Sequence, residues 1–545
     1  MTLFERILTA RGLTTRAARQ AFLQPDYIAV KHDPFLLPDM KKAVARLKQA
    51  REQGEKIVIY GDYDIDGLSA TALLLDAFGK FGFEDVDAFI PNRFVEGYGM
   101  TMGAVDKVCD MGADLIVTVD TGSLCHTEIA YAASLGIDTV VTDHHNVAET
   151  PPPSVAAVNP KFPGHTYPFR DLCGAGVAFK LVQALQTELD GLPDGYEKWL
   201  LDLVALGTVC DIVTLADENR ANVYWGLEVL KKQQRPGLKA LMAVAGIEPE
   251  QVNARHLGFG LGPRMNAAGR LETAQHALDM LTARDGLAAL EASEKLEELN
   301  TKRRSIQDAI FEEACQQAEE LANDRVLVVS SGGWNHGVIG IVASKLVEKY
   351  KKPVFIIGER GEEATGSARS FGDFSAADAV RAADDIIIKG GGHGAAAGVT
   401  LATEKIGDFR RRVNEFYDSL QLTNQERYLL PRADVEIDDF SEINEELVEN
   451  LAKMEPFGNG NPEPVLKIAR ASVLSMRRMG ADGQHVKLAL RDKNGKVLQM
   501  LAFNAPEEFF REPGDEVAAW FQPTINEWQG VRTVEGRLLH VILLD

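Results

Sequence analysis

Three aspartates at alternating positions, Asp62, Asp64 and Asp66, directly follow a short apolar run at 57–60. The apolar run predicts a buried strand, and the apolar residues at 68–75 predict a helix. Carboxylates this close together cannot all be buried as bare charges, because each unpaired charge carries a desolvation cost of several kcal/mol. A hard divalent cation would remove that cost. The stretch therefore predicts a metal site between a strand and a helix.

A calcium-binding loop is the alternative interpretation of this stretch, since the three aspartates and Gly67 match the first half of its signature. That loop needs Glu at its twelfth position, where Leu73 stands, and a helix in front of it, where we predict a strand. Open α/β sheets place their ligands at the carboxyl ends of their strands. A carboxylate cluster at a strand end is the better interpretation.

Strand-like runs recur at 86–90, 115–119 and 139–142, with helical stretches such as 127–135 between them. Strands that alternate with helices predict βαβ units and a parallel sheet. The carboxyl ends of parallel strands meet at one edge of the sheet. Polar residues that follow these strands are therefore expected to lie close together.

Such residues do follow the strands: Asp120 follows the run 115–119, and Asp143, His144 and His145 follow the run 139–142. We group Asp211 with these strand ends, because it stands at the end of a further apolar stretch, 200–209. Taken singly, an aspartate here could cap a helix, and a lone histidine is usually structural. Together, carboxylates and imidazoles form a ligand set that suits manganese or magnesium. The sequence predicts that they join the three aspartates at one site.

Composition restricts the class of protein. A chain of 545 residues predicts about three or four domains, and 45% hydrophobic with 25% charged residues is typical of a soluble globular protein. We see no signal peptide or membrane span and expect a cytoplasmic protein. Its five cysteines contain no CxxC pair, which predicts reduced thiols.

The net charge of −22 argues at first against a nucleic-acid partner. The segment 464–500 nevertheless carries eight Lys or Arg against two acids. A solvated strand surface is the alternative explanation for that segment. The net charge therefore does not exclude a nucleic-acid partner, because one region of this acidic chain is basic.

The second half of the chain shows three further patterns. Residues 283–325 predict a long connecting helix, and strand-like runs at 326–329 and 354–357 predict a second α/β lobe. The run 386–388 leads into glycines at 390–394, which we interpret as a turn entering a helix, where free N–H groups could bind an anion. A plain tight turn is the alternative.

From residue 432 onward the chain predicts an OB-like barrel, because five strand-like runs fall within a short segment: 464–476, 485–490, 497–503, 516–524 and 532–544. Its first strands hold the basic segment. Phe503, Trp520, Phe521 and Trp528 could stack on bases, although about half of such aromatic residues should belong to the barrel core.

These motifs, in this order, resemble the DHH phosphoesterase superfamily. Four stretches resemble its metal-binding motifs: Asp64–Gly67, Asp120, Asp143–His145 and Asp211. Gly391–His393 with Ala396–Gly398 resembles the signature of its DHHA1 partner domain. Further stretches resemble the RecJ family within that superfamily: 60–64, 91–93, 261–270, 337–343, 366–370 and 455–462. The likeness covers nearly the whole chain. Tyr60 stands where many superfamily members have a histidine, but RecJ-like sequences commonly lack that histidine.

The resemblance implies an α/β architecture of two α/β lobes, a parallel-sheet DHH domain and a DHHA1 domain, joined by a long helix and followed by an OB-like barrel. The expected divisions are an N-terminal helical segment (1–55), the DHH domain (56–225), a helical connector (226–325), the DHHA1 domain (326–425) and the barrel (426–545).

It also implies a site with two divalent cations, Mn²⁺ or Mg²⁺. Asp120 would bridge them, Asp64 would belong to the first, and Asp66, His144 and Asp211 would belong to the second, while Asp62, water or substrate would complete the first. His145 would contact the scissile phosphate or stabilise the leaving oxygen, and Asp143 would orient a histidine. The substrate-binding candidates are Arg93, Arg264, Asn266, Arg270, Ser367, Arg369, Gly391, Gly392 and His393.

The activity implied is that of a 5′ to 3′ exonuclease specific for single-stranded DNA, in repair and recombination, which acts as a monomer and cooperates with a RecQ-like helicase and a single-strand-binding protein. Two alternatives remain. A related phosphodiesterase would cleave pyrophosphate, cyclic dinucleotides or short oligonucleotides, but the basic barrel favours a long polymer. A non-catalytic replication scaffold would have lost metal ligands, which this chain retains.

Overall fold

The computed structural model describes residues 1–97 and 99–544, apart from the side chain of Glu426. Three helices open the chain: α1 (Leu3–Ala10), α2 (Arg16–Leu23) and α3 (Met40–Gln53). Helix α1 packs into the core of the C-terminal barrel, whereas α3 packs against the first sheet. The N-terminal segment therefore connects two regions that are far apart in sequence.

The first sheet is fully parallel, as predicted, with the strand order β2-β1-β3-β4-β5. Its elements in chain order are β1 (Ile57–Gly61), α4 (Ile65–Phe81), β2 (Val86–Phe89), α5 (Met102–Asp110), β3 (Leu115–Val119), α6 (His126–Ser134), β4 (Asp138–Thr142) and β5 (Ala156–Val158). Every residue of β1 and β3 is buried. Strands covered by helices on both faces are apolar throughout rather than alternating.

Helices complete this lobe and lead to the next: α7 (Gly174–Leu185), α8 (Leu201–Cys210), α9 (Asp217–Lys231), α10 (Pro236–Val244), α11 (Gly262–Leu271), α12 (Gln275–Thr282) and α13 (Gly286–Glu320). A π-helix (His256–Leu261) directly precedes α11. Helix α13 is the predicted connector. Among the described residues, no helix combines the length and apolar character needed to span a membrane.

The second lobe contains a mixed sheet in the order β6-β7-β8-β10-β9, in which only β6 and β7 are parallel. Its elements are β6 (Leu327–Gly332), α14 (Ile339–Tyr350), β7 (Val354–Arg360), β8 (Glu363–Arg369), α15 (Ala376–Arg381), β9 (Ile387–Gly392), β10 (Ala396–Ala402) and α16 (Ile406–Ser419).

The C-terminal strands form the predicted barrel, closed by pairing of its first strand with its fourth, β12 with β15. Its elements are β11 (Val435–Ile437), α17 (Glu445–Ala452), β12 (Leu466–Met479), β13 (His485–Arg491), β14 (Val497–Ala502), β15 (Glu516–Trp528) and β16 (Val531–Leu543).

Two local predictions were wrong. Asp211 follows helix α8 rather than a strand, because the apolar stretch before it is a fully buried helix, which a run of apolar residues alone does not distinguish from a strand. The glycines at 390–392 lie within strand β9, which turns into β10 as an antiparallel hairpin, and no helix follows. The glycines still line a cleft of the second lobe, and Asp211 still lies beside Asp66 and His144.

Candidate active site

The turn between β1 and α4 places the first three aspartates. Asp64 is the N-cap of α4, and its carboxylate accepts hydrogen bonds from the backbone N–H groups of Asp66 (2.9 Å) and Gly67 (3.1 Å). A cap of this kind satisfies N–H groups that the first helical turn leaves free. Asp66 therefore begins the first turn of α4, directed toward the sheet edge.

Asp66 is held by a second helix N-terminus. Its carboxylate accepts hydrogen bonds from the N–H groups of Gly174 (2.5 Å) and Ala175 (2.8 Å) at the start of α7. A Cβ atom at Gly174 would lie 2.5 Å from the Cβ of Asp120, and one at Gly207 would lie 2.4 Å from Oδ1 of Asp66. Both glycines are therefore required for the aspartates to approach one another, and the sequence analysis missed them.

His144 stands at the centre of the cluster. Its Nε2 lies 3.0 Å from Oδ1 of Asp120 and 3.5 Å from Oδ2 of Asp211. The same atom lies 3.8 Å from Oδ2 of Asp66. Side chains from three strand ends and one helix end thus converge.

Crowding of buried carboxylates raises their pKa values. Burial and the charge of Asp64 raise the pKa of Asp62 to about 7 and that of Asp66 to about 6. Burial and Asp66 raise the pKa of Asp211 to about 8 and that of Asp120 well above its usual range. Burial, followed by the charge of His145, lowers the pKa of His144 to about 4, so its imidazole is neutral and able to ligate a metal.

The cluster fits divalent cations by its hydrogen bonding and by its spacing. Both carboxylate oxygens of Asp120, Oδ1 of Asp62 and Nε2 of His144 are buried without a hydrogen-bond partner among the described residues. Buried polar atoms are normally paired. Three ligand groups have atoms within 4.8 Å of one another: Asp62, Asp64 and Asp120; Asp66, His144 and Asp211; and Asp120, His144 and His145. Asp120 and His144 each belong to two of these groups, so the three groups form one continuous cluster.

Asp143 organises the two histidines rather than joining the cluster. Its Oδ1 accepts hydrogen bonds from the N–H of His144 (2.7 Å) and lies 2.9 Å from Nδ1 of His145. Burial opposes ionisation of Asp143, but the hydrogen bond and charge of His145 outweigh it and hold the pKa of Asp143 below its usual range. The same contact outweighs burial at His145 and raises its pKa to about 9.

Tyr60 takes no part in the cluster. It is fully buried, and its hydroxyl donates to the carbonyl of Gly99 (3.1 Å). The position that carries a ligand histidine in many superfamily members is here part of the sheet core. Asp62, in contrast, lies within ligand distance of Asp64 and Asp120.

A cleft of about 740 Å³ beside the cluster is lined by four arginines, Arg93, Arg270, Arg360 and Arg369, and by Lys389 and Ser367. None of the four guanidinium groups pairs with a carboxylate in the described chain. Burial lowers the pKa of Arg369, and burial together with Arg93 lowers that of Arg270 to about 10. Unpaired, crowded cations are typical of an anion-binding site.

The cleft adjoins the metal-binding turn directly. The Arg93 guanidinium lies 5.1 Å from the ring centroid of Tyr63, between Asp62 and Asp64 in sequence. The start of α14 also borders the cleft through Gly340, where a Cβ atom would lie 3.0 Å from Oγ of Ser367. Helix N-termini favour anions. An anion held here would lie next to the cluster.

The remaining candidates are distributed unevenly. Gly391 and Gly392 line the arginine cleft. Arg264 donates instead to Glu297 and to the carbonyl of Gly260 (2.7 Å). Asn266 lines a different groove, and His393 is exposed in the turn between β9 and β10.

The barrel surface carries fewer free cations than its sequence suggested. Lys467, Arg478, Lys487 and Lys493 form ion pairs with acids of the barrel region. Arg470, Arg477 and Arg491 are exposed and form no ion pair within the described residues. Of the aromatic candidates, Trp520 and Phe521 are buried, and Phe503 and Trp528 are exposed.

The parallel sheet, the strand-end carboxylates and the histidine pair define a protein of the DHH class. Family models match residues 56–208 (DHH family, N-terminal domain), 323–419 (DHHA1 domain) and 433–540 (RecJ OB domain). The chain belongs to the RecJ family.

Individual relatives support that assignment. The single-stranded-DNA-specific exonuclease RecJ of Bacillus subtilis is 39% identical over 96% of this chain and 65% of its own length. The protein of the same name from Dickeya dadantii is 34% identical over 93% of this chain and 91% of its own. This chain therefore spans about two thirds of the first relative's length and most of the second's.

The crystal structure of RecJ with Mn²⁺ from Thermus thermophilus is 30% identical, with a TM-score of 0.83, and covers 99% of this chain and 76% of its own. The structure of that protein with Mg²⁺ has a TM-score of 0.77 at 28% identity over 98% of this chain and 74% of its own.

Proposed function

We propose that this protein is a metal-dependent exonuclease that removes 5′-mononucleotides from the 5′ end of single-stranded DNA, in DNA repair and recombination. One observation carries the proposal: a cleft with four unpaired arginines directly adjoins a buried cluster of carboxylates and a neutral histidine. The cluster provides for phosphodiester hydrolysis, and the cleft provides for a chain end. The name of the relatives, single-stranded-DNA-specific exonuclease, agrees with hydrolysis at the cluster and with a chain end in the cleft.

The carboxylates and His144 would hold two divalent cations, Mn²⁺ or Mg²⁺. Asp62, Asp64 and Asp120 would ligate the first, and Asp66, His144 and Asp211 would ligate the second. Asp120 would be shared by both, since its Oδ1 lies 3.0 Å from Nε2 of His144. When bound, such a pair lowers the pKa of a water molecule and neutralises the charge that builds up on the scissile phosphate.

The remaining groups of the cluster would act on the substrate. His145, held protonated by Asp143, would donate a hydrogen bond to the scissile phosphate or to the leaving 3′ oxygen. The bond between phosphorus and that 3′ oxygen breaks, so the released nucleotide keeps its 5′-phosphate. The shortened strand also begins with a 5′-phosphate.

The arginine cleft would set the polarity. A terminal phosphate carries more charge than an internal diester, and Arg93, Arg270 and Arg369 with Ser367 offer it several donors at once. An internal phosphate of a continuous strand has fewer free oxygens for these donors than a terminal phosphate. Gly391 and Gly392 would let the substrate approach the backbone of β9 closely.

The barrel would bind the strand beyond the site through its exposed cations, Arg470, Arg477 and Arg491. We propose further that the protein is a monomer and acts in the cytoplasm. It would cooperate there with a RecQ-like helicase and a single-strand-binding protein.

The substrate class is tested by offering the protein, with Mn²⁺, a 5′-phosphorylated single-stranded 30-mer, the matching blunt duplex, a cyclic dinucleotide and pyrophosphate at equal phosphate concentration. We expect hydrolysis of the single strand at a rate well above the others. Preferential cleavage of the cyclic dinucleotide or pyrophosphate would replace the proposal with the short-substrate alternative. Hydrolysis of none would favour the scaffold alternative.

A further inference from the structure

A second groove, of about 610 Å³, lies between the catalytic lobe and the loop 455–463 that leads into the barrel. Cys210, next to the ligand Asp211, lines its inner end. The proposed chemistry assigns nothing to this groove.

Helix α11 connects the two openings. Asn266 lines the groove, and Arg270, one helical turn further along, lines the arginine cleft. Between them, Gly269 brings α11 against the metal-binding turn, where a Cβ atom would lie 3.4 Å from the carbonyl oxygen of Tyr63. We infer that a strand whose end is in the cleft and whose scissile phosphate is at the cluster would follow α11 into the groove.

Phe259 is the most prominent residue of the groove. It is 79% exposed, the highest value for any large apolar side chain in the described chain. It projects from the π-helix before α11, between Gly258 and Gly260, and π-helical turns are frequent at functional sites. The guanidinium of Arg255 lies 5.8 Å from its ring centroid. Nothing in the packing of the fold requires an aromatic ring here.

Ile212 faces the same groove and is 69% exposed. Its φ of 61° is left-handed, a conformation that costs a β-branched residue of order 1–3 kcal/mol. Asn459 of the loop 455–463 holds it there by donating to the Ile212 carbonyl (2.8 Å). A strained, exposed isoleucine directly after a metal ligand is a feature that folding alone does not explain.

The charges of the groove are balanced, with Arg255 and Arg537 beside Glu455 and Glu463, so the groove favours phosphate less than the arginine cleft does. Glu455 and Glu463 line the barrel side, and Arg537 pairs with Glu463 at 2.6 Å. Phe457 and Pro462 add apolar surface. A nucleobase fits such a wall, because every base has a π face and stacking needs no particular sequence.

We propose that Phe259, supported by Ile212, is a stacking platform for a base just 3′ of the scissile bond. This inference rests on the proposed function. Stacking on Phe259 requires a base that has left its helical stack, so the platform contributes to the preference for single strands. The loop that carries Asn459 fixes the width of the groove, which links the barrel to the catalytic lobe.

The test is a double-mutant cycle that combines variants of the protein with substrates that lack one base. We would measure kcat and KM on 5′-phosphorylated oligonucleotides with one abasic residue at position 2, 3 or 4. For the wild-type protein we expect about 10-fold higher KM at one of these positions. Phe259→Ala should show about the same increase on the intact strand, and no further increase when that base is missing. Phe259→Trp should retain wild-type values.

Leu287→Ala is the matched control, because Leu287 is 69% exposed on α13, away from the groove. Equal values for Phe259→Ala and Leu287→Ala would overturn the inference while leaving the proposed function intact. The inference would also be overturned if the abasic residue raised KM by the same factor in Phe259→Ala and in the wild-type protein. A wild-type protein that degrades no single-stranded DNA would instead contradict the proposed function.

Ile212→Asn separates a binding role from a structural one, since asparagine tolerates a left-handed φ better than isoleucine. We expect the variant to unfold at the same or a higher temperature and to have a raised KM. A lower unfolding temperature with unchanged KM would show that Ile212 serves the fold alone.

Discussion

Nε2 of His144 lies 3.0 Å from Oδ1 of Asp120, yet neither atom makes a hydrogen bond with acceptable geometry to any residue in the described chain. Two buried polar atoms left in this way are costly unless something lies between or beside them. A divalent cation satisfies both. We therefore predict that metal binding by the cluster depends on Asp120.

Asp120→Asn should therefore abolish most of the activity while preserving the shape of the side chain. We expect turnover of single-stranded DNA to fall by about two to three orders of magnitude, a loss like that caused by removing one preorganised electrostatic group. Asp110→Asn, on the exposed end of α5, is the matched control and should keep full activity. Turnover within twofold of wild type in Asp120→Asn would refute the bridging role.

Metal removal should destabilise the protein more at higher pH. Without cations, Asp66, Asp62 and Asp211 have folded-state pKa values of about 6, 7 and 8, above the usual value for aspartate. The folded state then holds protons that the unfolded state has released, so the free energy of unfolding falls as pH rises from about 4 to 8.

Thermal unfolding in excess chelator should accordingly show a lower Tm at pH 8 than at pH 6. Saturating Mg²⁺ should raise the Tm at pH 8, because a ligand that binds only the folded state stabilises it. An identical Tm with chelator and with Mg²⁺ at pH 8 would contradict a metal site in this cluster.

Arg369→Ala should weaken recognition of the terminal phosphate. A charge-assisted hydrogen bond contributes about 1.5–3 kcal/mol, so we expect the preference for a 5′-phosphate over a 5′-hydroxyl end to fall about 10- to 100-fold. The ratio of kcat/KM on the two oligonucleotides measures it. Arg381→Ala, an exposed arginine on α15 of the same lobe, should leave the ratio unchanged. A wild-type ratio in Arg369→Ala would remove Arg369 from the phosphate site.

Arg220 should be essential for the attachment of the barrel. It is buried, its ring partner Phe22 lies 3.8 Å away, and its guanidinium donates to the carbonyls of Phe22 (2.9 Å), Met454 (3.0 Å) and Glu455 (2.9 Å). Lysine offers a point charge that cannot reach all of these acceptors.

We expect Arg220→Lys to lose about 2–3 kcal/mol in the free energy of unfolding and to lower the Tm. Arg411→Lys, an exposed residue paired with Asp408 on α16, is the control. Equal unfolding temperatures for the two variants would show that Arg220 does not hold the barrel in place.

The catalytic cluster was predictable because its residues follow a local rule. Strand ends of a parallel sheet meet at one edge, so Asp64, Asp120 and His144 could be placed together from β1, β3 and β4 alone. The barrel was predictable for a similar reason, since alternation and turn residues identify its strands.

Other features depend on contacts between distant segments, and no local pattern reports them. Gly174 and Gly207 give no signal until the folded chain brings Asp120 and Asp66 against them. The pairing of Arg264 with Glu297 depends on how α11 meets α13, which removed Arg264 from the expected phosphate site. Asp211 was placed at a strand end because a buried helix and a buried strand have the same apolar composition.

The most direct test of the central account is the order in which product appears from single-stranded DNA labelled at either end, digested with Mn²⁺ beside Asp120→Asn. The account predicts labelled mononucleotide from the 5′-labelled strand at the first time point and a ladder of shortening fragments from the 3′-labelled strand, with product from the variant formed at least about 100-fold more slowly. Mononucleotide released first from the 3′ label, or digestion by Asp120→Asn at the wild-type rate, would contradict it.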